Sequence, residues 1–139
     1  MTSDADLRRI LTETKVIALV GWSPKPDRPS HRVAAFLHQR GYRVIAVNPG
    51  VAGQDSGLGG PVVARLADIA GPVDMVDIFR RAEDVPEVVD QALAALPGLK
   101  VIWMQLGIEH AGAAAVAEAA GLEVVQNRCP AIEIPRLGL

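Results

Sequence analysis

Residues 16–31, Val-Ile-Ala-Leu-Val-Gly-Trp-Ser-Pro-Lys-Pro-Asp-Arg-Pro-Ser-His, hold the densest set of groups that could grip an anion. An apolar run ends at Gly21, and a helix start is expected at Ser30. A helix start leaves backbone N–H groups unpaired and carries partial positive charge, which makes a strand–turn–helix unit a phosphate site. Ser30, His31 and Arg32 lie at that start, with Arg28 just before it. A diphosphate there would meet N–H donors, a hydroxyl and a guanidinium fork. Ser30 also serves as a helix cap, a role compatible with ligand binding. The turn itself is not glycine-rich. It holds Gly21 alone against Pro24, Pro26 and Pro29. A GxGxxG dinucleotide fingerprint is absent, because Ser23 and Pro24 stand where glycines would admit a pyrophosphate. Prolines fix φ and withhold N–H groups. They read as a stiff, partly apolar wall suited to a long, mostly neutral ligand chain.

Other strand ends supply further candidates. The run 43–47 ends Val47-Asn48-Pro49, without the acid that holds a ribose in an NAD site. Arg43 opens this strand and is poorly placed to take a 2′-phosphate. A third run ends Ile78-Phe79-Arg80-Arg81. Phe79 could stack on a ligand or belong to the core, and Arg80 could pair with phosphate. A fourth ends Trp103-Met104-Gln105-Leu106-Gly107. Gln105 is polar in an apolar run and suggests a directed hydrogen bond, Gly107 permits close backbone approach, and Trp103 reads as packing. Asn127-Arg128-Cys129 is the last of five segments expected at one end of the sheet.

The elements that would position these residues alternate. Leu7, Ile10 and Leu11 mark a short leading helix, and Lys15 to Val20 a continuous apolar strand. From Ser30, the spacing of Val33, Phe36 and Leu37 predicts a helix closed by Gly41. Strands follow at 43–47, 73–79, 100–106 and 123–126, with helices over 83–96 and 109–120. Residues 51–60 hold four glycines and read as a loop, and 65–69 as a short helical turn. The tail 127–139, with Pro130 and Pro135, reads as irregular. This alternation implies an α/β, three-layer, doubly wound Rossmann-like fold with a parallel sheet of about five strands. The expected order is 3-2-1-4-5, with the switch point between the first and fourth strands. At 139 residues, without linker or repeat, residues 1–139 are expected to form one domain.

Taken together, Gly21-Trp22-Ser23-Pro24-Lys25-Pro26-Asp27-Arg28-Pro29-Ser30, Val47-Asn48-Pro49, Val76-Asp77-Ile78-Phe79-Arg80, Trp103-Met104-Gln105-Leu106-Gly107 and Asn127-Arg128-Cys129-Pro130 resemble the stand-alone CoA-binding family of small bacterial proteins. The resemblance runs in order from about Ile10 to Leu137. That family's fold is similar to the CoA-binding domain of the succinyl-CoA synthetase α subunit. The resemblance implies that coenzyme A or an acyl-CoA lies across the strand ends. Gly21, Trp22, Ser23, Pro24, Lys25, Arg28, Ser30 and His31 would take the phosphates, and Asn48, Pro49, Phe79, Arg80, Gln105, Gly107 and Arg128 would line the rest. Trp22 departs from the family's commoner small residue and would crowd the entrance or stack on adenine.

Composition narrows the classes. Half the residues are hydrophobic and the net charge is −2, which gives no support for a nucleic-acid footprint. Five cations against Asp27 make residues 22–43 locally positive, whereas 68–90 hold seven anions against Arg80 and Arg81. Cys129 is the only cysteine, so no internal disulfide is possible. No apolar run reaches membrane-spanning length and no secretory signal is visible, so a cytoplasmic location is expected. No nucleophile–base set, metal-ligand spacing or paired carboxylates emerge, and His31, His38 and His110 read as a phosphate contact, a surface group and a helix-start residue. The expected function is a non-catalytic module for a small CoA ligand, with no nucleic acid or membrane partner and no protein partner specified. The alternative is a small NAD(P)-dependent oxidoreductase, or an acyl-CoA-handling subunit completed by another chain.

Overall fold

Along each strand, successive side chains enter opposite cores, and this alternation sets the layers. In the computed structural model, which describes residues 2–139, Ile17 and Leu19 of β1 (Val16–Val20) join one cluster and Ala18 and Val20 the other. Strands β2 (Arg43–Val47), β3 (Met75–Ile78), β4 (Val101–Met104) and β5 (Glu123–Val125) divide in the same way. Helices α1 (Asp4–Glu13), α2 (Pro29–Gln39) and α5 (Pro130–Arg136) cover the first face. Helices α3 (Val85–Ala95) and α4 (Ala111–Ala119) cover the second. The expected α/β class, three layers and five parallel strands are present. Burial on both faces explains why the strand sequences are continuously apolar.

Strand order differs from the expectation. The sheet runs β2-β1-β3-β4-β5, not 3-2-1-4-5. β3 lies beside β1, with Ile17 opposite Met75 and Val20 opposite Ile78, rather than outside β2. The position outside β2 is held by a single residue. Val63 N–H donates to the Ala46 carbonyl at 3.0 Å, and Asn48 N–H donates to the Val63 carbonyl at 2.9 Å. This one-residue parallel bridge occupies the place of the third strand in the doubly wound order. The segment carrying it is too short and too glycine-flanked to read as a strand in the sequence. The chain between β2 and β3 contains only short 3-10 turns, Pro49–Val51 and Leu66–Asp68, the latter where a helical turn was expected. The switch point therefore lies between β1 and β3, not between β1 and β4.

Two further differences bear on the site. Helix α2 begins at Pro29, with Arg28 as its cap residue, one residue before the expected start. Proline is preset for the first helical position and has no N–H to satisfy, which frees Ser30 from capping. The tail is not irregular, since residues 130–136 form α5. Pro130 stands at the first helical position, and Pro135 falls one residue before the last, where a lost backbone bond matters little. The buried Glu133 carboxylate anchors this helix by accepting from Arg128 at 2.5 Å and Arg136 at 2.6 Å, and Arg136 continues to Asp4 at 2.8 Å.

At the switch point, Gly21 has φ +90°, and a Cβ there would sit 2.4 Å from the Phe79 carbonyl oxygen. At Gly41, φ is +97° and nothing lies within 4 Å. The two glycines separate conformational strain from steric collision. Gly41→Ala is expected to cost about 1–2 kcal/mol. Gly21→Ala should cost about 3 kcal/mol or more, because backbone must move as well. Urea denaturation of both variants measures the difference; equal losses would refute the close-approach role of Gly21.

Candidate functional site

The loop after β1 is organised by its own polar groups. Ser23 N–H donates to Ser30 Oγ at 3.0 Å, and Lys25 N–H donates to Ser23 Oγ at 3.2 Å. His31 Nδ1 lies 2.9 Å from the Ser23 carbonyl, so this nitrogen carries the ring proton. Asn48 Nδ2 donates to the Trp22 carbonyl at 2.7 Å while its Oδ1 accepts from Gly50 N–H at 2.8 Å. Asn48 thus latches the β1 loop to the β2 loop. The Trp22 ring is buried in the core at 3% exposure and stacks on His31 with centroids 5.5 Å apart. That burial removes the Trp22 side chain from the surface where adenine stacking was considered, and only its backbone borders the loop.

Once these bonds are made, certain donors remain. Ser30 N–H has no backbone acceptor, and the Ser30 hydroxyl proton is not used by the bond to Ser23. Lys25 and Arg28 are exposed, and neither forms an ion pair among the described residues. A groove of about 330 Å³ is lined by Gly21, Ser23, Lys25, Arg28, Pro29, Ser30 and Phe79. Pro24 and Pro26 stand exposed on the same loop and contribute no N–H. The result is an anion-facing groove at a helix start, with cationic side chains rather than a glycine nest.

On the opposite side of Gly21, a second groove of about 210 Å³ reaches from Pro49 past Arg65 and Arg80 to Asp84 and Glu87. Arg80 lies against Gly21, its Cδ 3.2 Å from where a Cβ would stand, and pairs with Asp84 at 3.8 Å. Arg65 was missed in the sequence. It lies beyond the glycine-rich loop, on a connection whose path the sequence pattern does not define. Gly21 lines both grooves, so the two sides of the sheet meet over one residue without a Cβ. A larger cavity, about 680 Å³, lies along the outer edge of β2 beside Tyr42, Arg43 and Ile45. It flanks the first half of that strand, whereas ligands of open α/β sheets gather beyond the carboxyl ends.

The remaining candidates sit at the end of β4. Gly107 has φ +87°, and its N–H donates to Asn127 Oδ1 at 2.7 Å. Trp103 is fully buried and its Nε1 donates to the Arg128 carbonyl at 2.8 Å. Residues 127–128 therefore join the β4 end, as expected of the fifth segment. The Arg128 guanidinium, however, is engaged by buried Glu133, which leaves it less available than Lys25 or Arg28. His110 caps α4 by accepting from Ala113 N–H at 2.9 Å, a structural role in line with its expected place at the helix start.

A family model described as "CoA binding domain" matches residues 15–135. The chain belongs to that family. The chain is 37% identical over 127 residues to Uncharacterized protein YneT of Bacillus subtilis (strain 168), covering 91% of this chain and 90% of that protein. Among solved structures, cell-free ID.343 from Thermus thermophilus has a TM-score of 0.90 at 36% identity, with 97% of this chain and 98% of that chain covered. A hypothetical protein from Pyrococcus horikoshii OT3 has a TM-score of 0.89 at 39% identity, with coverages of 99% and 93%. No helix among the described residues is long and apolar enough to cross a membrane.

One polar group of the chain had no assigned role in the sequence. Asp77, in the middle of β3, is completely buried, and neither carboxyl oxygen has a hydrogen-bond partner. Burial raises its pKa well above the ordinary value of 3.8. Its folded pKa exceeds its unfolded value, so the folded state holds a proton that the unfolded state releases. Wild-type stability therefore falls as pH rises from about the ordinary value toward the raised one. In Asp77→Asn this slope should disappear, so the variant gains on wild type with rising pH. Urea denaturation across the pH range checks this, and parallel stability curves for the two proteins would refute it.

Proposed function

We propose that this CoA-binding domain holds coenzyme A or an acyl-CoA along the carboxyl ends of its strands, as a binding module rather than a catalyst. The observation that carries the reading is the groove at the start of α2. There Ser30 N–H, Lys25 and Arg28 stand unpaired beside a proline-walled loop. Coenzyme A joins an anionic diphosphate to a long neutral pantetheine arm. The diphosphate suits the helix start and its cations. The neutral arm suits the Pro29 and Phe79 surface of that groove, where proline has no N–H and the Phe79 N–H is spent on the Val20 carbonyl. Asn48, spent on latching two loops and followed by Pro49, offers no carboxylate to a ribose, which disfavours NAD. Cys129 is buried and His110 is a cap, so neither is set up as a nucleophile or base.

Calorimetric titration with coenzyme A, acetyl-CoA, dephospho-CoA and NADH tests the proposal. Coenzyme A should bind and raise the melting temperature, and NADH should do neither; equal stabilisation by NADH would overturn it. Loss of affinity for dephospho-CoA would show that the 3′-phosphate is read. Arg28→Ala should weaken coenzyme A binding by about 1.5–3 kcal/mol, the range for hydrogen bonds to charged groups. An unchanged dissociation constant would remove Arg28 from the site.

A further inference from the structure

Among the described residues, two buried side chains carry polar atoms without partners, Asp77 through both carboxyl oxygens and Gln105 through Oε1. They are neighbours by construction of the sheet. Asp77 stands opposite Trp103 in the β3–β4 ladder. The ladder continues past β4, since Gln105 N–H donates to the Ile78 carbonyl at 3.3 Å. Side chains two residues apart share a face, so Gln105 follows Trp103 on the face that also holds Asp77. Diagonal positions of this kind lie within reach of long side chains. A neutral carboxyl has one proton to give, and Gln105 Oε1 is an acceptor on the same face with no donor. The other end of the amide differs. Gln105 Nε2 forms no hydrogen bond among the described residues and is not among the enclosed atoms, and Gln105, 6% exposed, is the first residue past the carboxyl end of β4.

We propose that Asp77 is a positioning residue, whose protonated carboxyl donates to Gln105 Oε1 and thereby turns the Gln105 amide so that its NH₂ faces the ligand groove. An amide can present either end to a ligand. A buried proton donor behind it fixes which one. With the oxygen held inward, position 105 becomes a donor and selects a ligand group that accepts, such as an amide or thioester carbonyl. Were Asp77 ionised, the carboxylate would instead claim the NH₂ and turn the oxygen outward, making the same position an acceptor. The only cysteine, Cys129, is buried in the same cluster, and His31 stacks on Trp22 there; neither bonds to Asp77. This inference rests on the CoA reading for the ligand's identity, while the hydrogen bond itself does not depend on it.

Two measurements keep these apart. Infrared difference spectra of the protein alone should contain a protonated-carboxyl band that vanishes in Asp77→Asn and shifts in Gln105→Leu. Absence of the band, or its indifference to Gln105→Leu, would overturn the proposal whatever the ligand. Titration with coenzyme A then compares two variants. Asp77→Asn keeps a donor behind Gln105 and should bind within about threefold of wild type, whereas Asp77→Val removes it and should bind about tenfold more weakly. Wild-type affinity in Asp77→Val, or an equal loss in both variants, would overturn the positioning role. Should wild type fail to bind coenzyme A, the functional reading falls and the infrared result decides the Asp77–Gln105 pair by itself. Side-chain amide NMR signals of Gln105 in folded Asp77→Asn and Asp77→Val provide a second check, with the Asn variant expected to keep the wild-type position and the Val variant to lose it.

Discussion

The carbonyl of Phe79 and the α-carbon of Gly21 occupy space that admits no side chain between them. Most of the site follows from that contact. It lies where β1 and β3 part, the one place in the sheet at which consecutive crossovers leave in opposite directions. Because no Cβ intervenes, the groove at the start of α2 and the groove beside α3 share an edge. A side chain at position 21 would separate them and push the Phe79–Arg80 backbone outward. Gly21 is also tied from the other flank, its N–H donating to the Val47 carbonyl at 3.1 Å. Three strand ends thus converge on one residue.

Around that point the polar groups divide into two kinds. Ser23, Asn48, His31, Asn127 and His110 are consumed in holding loops and helix starts, each with a defined partner. Lys25 and Arg28 are not. A polar side chain that could serve a ligand can be engaged by the scaffold instead, as Asn48 and the Nδ1 of His110 are. Availability, rather than chemistry alone, separates the free cations from the scaffold.

The sequence revealed the fold class because burial on both faces writes each central strand as an unbroken apolar run, and glycines or prolines mark the helix ends. It misled about strand order because one residue, Val63, fills a strand's place without a strand's pattern. The α5 helix was hidden for a related reason. Its two prolines signal a break, and the ion pair that extends the Glu133 network, Arg136 to Asp4, joins residues far apart in the chain. Trp22 was ambiguous since a tryptophan after a strand-ending glycine can face either way, and only the His31 stack shows that it turns inward. Asp77 was visible as an acid in an apolar strand; its isolation depends on the cover that α1, α2 and α5 supply, which no local pattern records.

The prolines of the first loop have a thermodynamic consequence. Glycine-rich phosphate loops are mobile before ligand arrives and lose that freedom on binding. Here Pro24, Pro26 and Pro29 restrict the unfolded chain as well as the folded one, so little backbone entropy is left to lose at the loop when a ligand is captured. On the proposed reading, recognition at this loop would be a matter of surface fit and desolvation. The cost of order is met when the chain folds, and a ligand of the proposed kind would encounter a surface already shaped.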